Sequence, residues 1–296
     1  MTPEALAAGA AAAYGSFKLQ LRRGMSERIG DHRVPGRPQP AGLEIESYRP
    51  YAPGDDLRHL DWTAMARLDV LLTRRFTAER EVRVHLLIDA SASMGVPARD
   101  GKLAVARELA MALAWMALTT NDAVRIARIG GDAGPALRRA SSARRVAALL
   151  CDLAPSGQLD LGAALAAYAH RHREPGAIFV VSDFMTEPES VERGVQALRA
   201  RRSEVVLVQV LGRGELDPAR DLAHGVLADV ESGATHPIVL TAAVRSRYDA
   251  LLAAHLAAIR AVAERNRALH AMLVTDDPVA DFVTGPLARL GLVRRR

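Results

Sequence analysis

Cysteine, lysine and aromatic residues are scarce in this chain, and each shortage excludes something. Cys151 is the only cysteine among 296 residues, so no internal disulfide can form and a small, stapled, secreted fold is ruled out. Lys18 and Lys102 are the only lysines, so the net charge of +5 rests on arginine. Aromatic residues make up 4% of the chain, and the clusters Arg138-Arg139, Arg144-Arg145 and Arg294-Arg295-Arg296 lack the interleaved rings on which bases stack. They read as solvated arginines on helix faces, equally compatible with an acidic partner surface, and no nucleic acid is expected. No apolar run approaches the roughly 18 residues of a membrane span. Glu4 stands where a signal peptide would be positive, so a cytoplasmic protein is expected. A glycine-rich phosphate loop with its lysine is also missing, which argues against ATP hydrolysis by this chain.

What is present is an alternation of short β-branched runs with longer helical stretches. Strands are predicted over 82–88, 123–129, 177–182, 204–210 and 271–275, and helices over 102–118, 142–153, 161–172, 188–202 and 242–269. That order calls for a parallel sheet with helices on both faces, an α/β doubly wound fold. Within 242–269, Val244, Tyr248, Leu251, Leu252, His255, Leu256, Ile259 and Val262 recur at helical spacing and read as a core stripe. A hairpin is expected between Asp229 and Leu240. Thr2-Pro3-Glu4 starts a helix expected to reach Arg23, and the Gly- and Pro-rich stretch 26–42 reads as a connector. A strand over 70–76 is expected, with a second short strand near 43–48 as its partner.

The chemistry gathers at Asp89-Ala90-Ser91-Ala92-Ser93-Met94-Gly95, directly after the apolar run 82–88. Spacing two apart in extended or looping backbone aims Asp89, Ser91 and Ser93 roughly the same way. One carboxylate and two hydroxyls are hard oxygen donors suited to Mg²⁺, and also to Mn²⁺ or Ca²⁺. A second acid is needed to neutralise such an ion, and Asp183, after the strand 177–182, supplies it. His170 and His172 have no cysteine or acid beside them at ligand spacing and read as a solvated helix end.

The Asp-x-Ser-x-Ser sequence followed by Met-Gly resembles the metal-ion-dependent adhesion site (MIDAS) of von Willebrand factor A domains. Upstream, Tyr51-Ala52-Pro53-Gly54-Asp55-Asp56-Leu57-Arg58-His59-Leu60-Asp61-Trp62 and Ala66-Arg67 resemble the signature of the domain-of-unknown-function 58 family. The two resemblances span roughly residues 40 to 280. They imply a von Willebrand A-like, Rossmann-type sheet domain over 81–296, preceded over 1–80 by an N-terminal helix, the connector and the extended signature segment. They also imply a function: metal-assisted protein binding, as an adaptor or co-chaperone with a MoxR-type AAA+ ATPase or its client. Asp89, Ser91, Ser93 and Asp183 would hold Mg²⁺, with a coordination position left for a partner's carboxylate. In the family a loop threonine adds a further ligand. Here the matching segment Ser156-Gly157-Gln158-Leu159-Asp160 places Leu159 there, which cannot coordinate a metal, and leaves Gln158 or Asp160 to help from behind the ligands.

Two alternatives belong to other classes. Ser91-Ala92-Ser93-Met94-Gly95 is a small-residue variant of a nucleophile elbow, and Ser93, Asp183 and His224 or His236 follow a hydrolase chain order. Against that, Asp89 would have no role and no glycine-rich oxyanion segment precedes it, so no enzyme is expected. A scaffold with a vestigial metal site is the other. The abundance of Ala and Arg is associated with a GC-rich bacterial genome.

Overall fold

The computed structural model describes residues 2–21, 44–77, 82–218, 224–228 and 235–296, and the chain divides into two compact units, Met1–Arg22 with Val82–Arg296, and Arg23–Glu81. The connector 26–42 lies outside the described residues.

In the larger unit the five apolar runs form one parallel sheet. Strands β4 (Arg83–Ile88), β5 (Ala123–Arg128), β6 (Ala177–Ser182), β7 (Glu204–Leu211) and β10 (Leu269–Val274) lie in the order β10-β7-β6-β4-β5. Successive side chains of a strand point to opposite faces. Leu86, Ile88, Phe179 and Val181 therefore enter one core, and Leu87, Ile178 and Val180 the other. Burial on both faces is what makes these strands continuously apolar. Helices α1 (Pro3–Tyr14), α3 (Lys102–Leu118) and α4 (Ala143–Cys151) contribute to the first core; α5 (Leu161–Arg171), α6 (Pro188–Arg199) and α8 (Ala242–Arg265) contribute to the second. Gly162 and Gly194 let α5 and α6 approach closely, since a β-carbon at either would strike Ser190 or Leu165. Single bridges Val124 to Leu137 and Ala127 to Ala133 lay an antiparallel rudiment along the outer edge of β5.

Further elements of this unit include the short helices α7 (Arg213–Leu216) and α9 (Val279–Phe282), the antiparallel hairpin β8 (His224–Ala228) and β9 (Thr235–Val239), and a small pairing of β1 (Phe17–Leu19) with β11 (Val293–Arg295). A hairpin was expected between Asp229 and Leu240: its second strand, β9, lies there, while its first, β8, comes earlier and ends at Ala228.

Three expectations need correction. The first helix ends at Tyr14 rather than near Arg23, and β1 follows it. That helix also belongs with the sheet unit, not with the signature segment: Leu6, Ala7, Ala10 and Tyr14 are buried in the first core. The boundary expected at 80/81 therefore separates only residues 23–81. The stripe on α8 is core at its C-terminal end alone, where Ile259 and Val262 are fully buried while Leu251 is 62% exposed. A 24-residue helix is about 36 Å long against about 20 Å for a six-residue strand, so its first turns extend past the sheet.

In the smaller unit β2 (Glu44–Pro50) pairs antiparallel with β3 (Leu72–Thr77), and α2 (Trp62–Leu68) lies between them in sequence. The charged signature residues hold local turns: Arg49 Nη2 meets Asp55 Oδ1 at 2.6 Å, and Arg58 binds both oxygens of Asp56, at 3.2 and 3.0 Å. Asp61 caps α2 through the Thr63 and Ala64 amides. Trp62, next to Asp61 in the signature, is 62% exposed.

Candidate metal centre

Strands β4 and β5 wind one way from β4, while β6, its other neighbour, begins the winding in the opposite direction. The crevice at the carboxyl ends of β4 and β6 is therefore the topological switch point, where open α/β sheets bind ligands. Ile88 pairs with Val181, so both predicted acids leave the sheet there: Asp89 directly, Asp183 one residue beyond its register partner.

Asp89 is 3% exposed; its Oδ1 accepts from the Ser91 amide at 2.8 Å and its Oδ2 from the Ser182 hydroxyl at 2.6 Å. Burial first, and then the Asp183 charge, outweigh these hydrogen bonds and hold the Asp89 carboxyl above its ordinary range. Ser91 Oγ and Ser93 Oγ lie 3.0 Å apart, so the two predicted hydroxyls do converge. The loop 156–160 is tied over them: the Ser156 amide donates to Ala90 O, the Ala92 amide to Gly157 O, and Arg128 to both Ala90 O and Ser156 O. Ser91, Arg128, Gly130, Ser156, Gln158 and Leu159 line a cleft of about 170 Å³ there. Asp160 does not face the hydroxyls. It caps α5 through the Ala163 amide and accepts from Ser190 Oγ.

Asp183 is tied down on both oxygens. Oδ1 accepts from the Met185 amide at 3.2 Å, and Oδ2 accepts at 2.9 Å from Lys102 Nζ, a side chain only 1% exposed at the start of α3. Lys102 also meets Glu215 Oε1 at 2.5 Å, and Glu215 Oε2 accepts from the Gly212 amide at 2.7 Å. Burial works against the Lys102 ammonium, but Asp183 and Glu215 together overcome it and raise its pKa. Glu215 is raised as well, by burial above all, with Lys102 opposing. Just past Asp183, Phe184 holds a left-handed φ of 53° and its amide donates to Ser182 Oγ, turning the chain sharply at the strand exit. Gln209, fully buried, donates to Asp183 O.

Lys102 and Glu215 were missed by the sequence reading. One signal was available: a rare lysine, in an arginine-dominated chain, at a helix N-terminus, where the macrodipole disfavours a cation.

Two features of the donor set suit a divalent ion. Adjacent ligands of an octahedral ion with bonds of about 2.1 Å are about 3.0 Å apart, the separation of the two hydroxyls. Asp89 and Asp183 are both buried at the two strand exits, Asp183 paired with Lys102 and Asp89 held by the neutral Ser91 amide and Ser182 hydroxyl, so a cation beside Asp89 would meet a buried carboxylate. Leu159 adds no ligand, and among the described residues no group of three or more His, Cys, Asp or Glu side chains is placed to hold a metal. The residues thus fit a hydrated ion resting on hydroxyls rather than one enclosed by protein. For the hydrolase alternative, Asp183 is committed to Lys102, and the side chains of His224 and His236 lie outside the described residues.

A family model described as "Protein of unknown function DUF58" matches residues 47–258. The uncharacterized proteins Rv1480 of Mycobacterium tuberculosis and Mb1516 of Mycobacterium bovis are each 29% identical over 288 residues, covering 92% of this chain and 87% of theirs. Among solved structures, conserved hypothetical protein BatB from Bacteroides thetaiotaomicron aligns over 71% of this chain and 98% of its own at 15% identity and a TM-score of 0.44. The SpRpn10 VWA domain aligns over 69% and 94% at 12% identity and a TM-score of 0.36.

Proposed function

The chain belongs to the DUF58 family, and on that footing we propose that it is a protein-interaction module whose docking edge lies at the carboxyl ends of β4 and β6. In this reading Ser91 and Ser93 hold a hydrated Mg²⁺, with Asp89 and Asp183 behind them supplying negative charge. When bound, the ion supplies a positive centre with an exchangeable water, which a partner's Glu or Asp displaces. The chain's own residues do the positioning: Ser182 and the Ser91 amide orient Asp89, and the Met185 amide and Lys102 orient Asp183. No activated nucleophile is needed. The partner we propose is a MoxR-type AAA+ ATPase or its client, on the strength of the signature at residues 51–67, in the cytoplasm. No helix among the described residues is long and apolar enough to cross a membrane.

The observation that carries this reading is the 3.0 Å convergence of the two hydroxyls beside the buried Asp89 carboxylate. Replacing both with alanine should weaken Mg²⁺ binding about tenfold or more by calorimetry, while stability in EDTA changes by about 1 kcal/mol, since the two hydroxyls bond to each other and both partners are removed together. Unchanged Mg²⁺ affinity would remove the ion from this site. Asp89→Ala should abolish Mg²⁺-dependent retention of the ATPase in a pull-down. Equal retention of wild type and variant, with and without EDTA, would separate docking from the ion.

A further inference from the structure

The Lys102 ammonium sits where two general rules, one on burial and one on the helix dipole, say a cation should not. It is buried, it opens a 17-residue helix at the positive end of the macrodipole, and it follows Gly101, whose left-handed backbone offers no capping side chain. Neither α3 nor the core benefits from it, so its place is determined by what it meets: Asp183 at 2.9 Å and Glu215 at 2.5 Å. These contacts are built rather than incidental. Glu215 is fixed from its other oxygen by the Gly212 amide, and Gly212 has no side chain where the Asp100 carboxylate packs, itself accepting from the Gly214 amide. A compact ammonium fits between two carboxylates where a planar guanidinium needs more room.

We propose that Lys102 is a resident cation of the docking edge, the one seated on Asp183: it supplies from within the protein the charge an ion would bring to Asp183, holds that strand exit in place without metal, and so limits how tightly a divalent ion binds at Ser91 and Ser93. The inference rests on the docking reading only for where that ion sits. A like charge in a poorly screened interior raises the cost of every added cation, so removing it should tighten ion binding.

The test is Lys102→Met, nearly isosteric and uncharged, titrated with MgCl₂ by calorimetry and followed by thermal unfolding with EDTA or about 10 mM MgCl₂. The variant should bind Mg²⁺ about tenfold or more tightly than wild type, melt below wild type in EDTA, and gain more in Tm from Mg²⁺. Affinity equal to or weaker than wild type overturns the proposal. If wild type binds no Mg²⁺ but the variant does, the resident cation stands and metal-assisted docking by the native chain falls. If both bind equally, the reverse holds, and if neither binds, both fall. Should Lys102→Met fail to fold, the double variant Lys102→Met with Glu215→Gln removes the ammonium from Asp183 together with the carboxylate that would be left stranded at Glu215, and keeps both acids at the strand exits, Asp89 and Asp183. It should still bind Mg²⁺ several-fold more tightly than wild type, and equal or weaker binding overturns the proposal.

Discussion

Asp183→Ala should destabilise the protein by about 3 kcal/mol, measured by urea denaturation at pH 7 in EDTA. Removing one partner of a buried ion pair strands the other, at a cost of about 3–5 kcal/mol. The lower end applies because Lys102 keeps Glu215, and the lost hydrogen bond to the Met185 amide adds to the cost. Asp183→Asn preserves an acceptor for that amide and should lose less, about 1–3 kcal/mol. The sign of the alanine result is informative. An acid present only to bind metal would, with metal removed, leave Asp89 relieved of a like charge, and its loss would stabilise the protein. A rise in stability in EDTA would therefore contradict the structural role assigned to the Lys102 and Asp183 pair.

The second large effect concerns pH. His85, on β4, is 3% exposed, and its Nδ1 shares a 2.7 Å hydrogen bond with the Tyr168 hydroxyl; Nε2 is buried without a partner among the described residues. Burial, and then the positive charges of Arg125, His172 and Arg83, push its pKa down to about 4. The folded protein thus keeps His85 neutral while the unfolded chain takes up a proton near pH 6.5. The contribution to stability is complete above about pH 6.5, declines as pH falls through that value, and is gone near pH 4, a total of about 3 kcal/mol. His85→Gln cannot titrate, so the stability difference between wild type and variant should shift by about 3 kcal/mol in the variant's favour between pH 7 and pH 4. A difference that stays constant with pH would show that His85 is not held neutral by the fold.

The parallel sheet was legible because each central strand is buried on both faces and so must be apolar throughout, as in Ile178-Phe179-Val180-Val181. The site was legible in part for a similar reason. Asp89, Ser91 and Ser93 are neighbours in sequence at a strand exit, so local geometry alone brings them together. Asp183 followed from its place after another apolar strand. Elements that depend on distant chain were not legible: β1 is three residues long, and its partner β11 stands at the other end of the chain. The exposed first turns of α8 share the apolar spacing of its buried end, because periodicity shows which face is apolar but not how far the sheet reaches beneath it.

By itself, the amino-acid sequence determined the alternation of strand and helix, the doubly wound architecture, and the hydroxyl-rich turn at the end of β4, all properties of contiguous residues and their spacing. Only the tertiary structure decided what surrounds Asp183. Lys102 and Glu215 lie 81 and 32 residues from it along the chain. Their charges act there because folding buries Asp183 and Lys102 and half-buries Glu215 in a low-dielectric interior, where a buried carboxylate requires an opposite charge or a proton and the nearest groups in space, not in sequence, provide it.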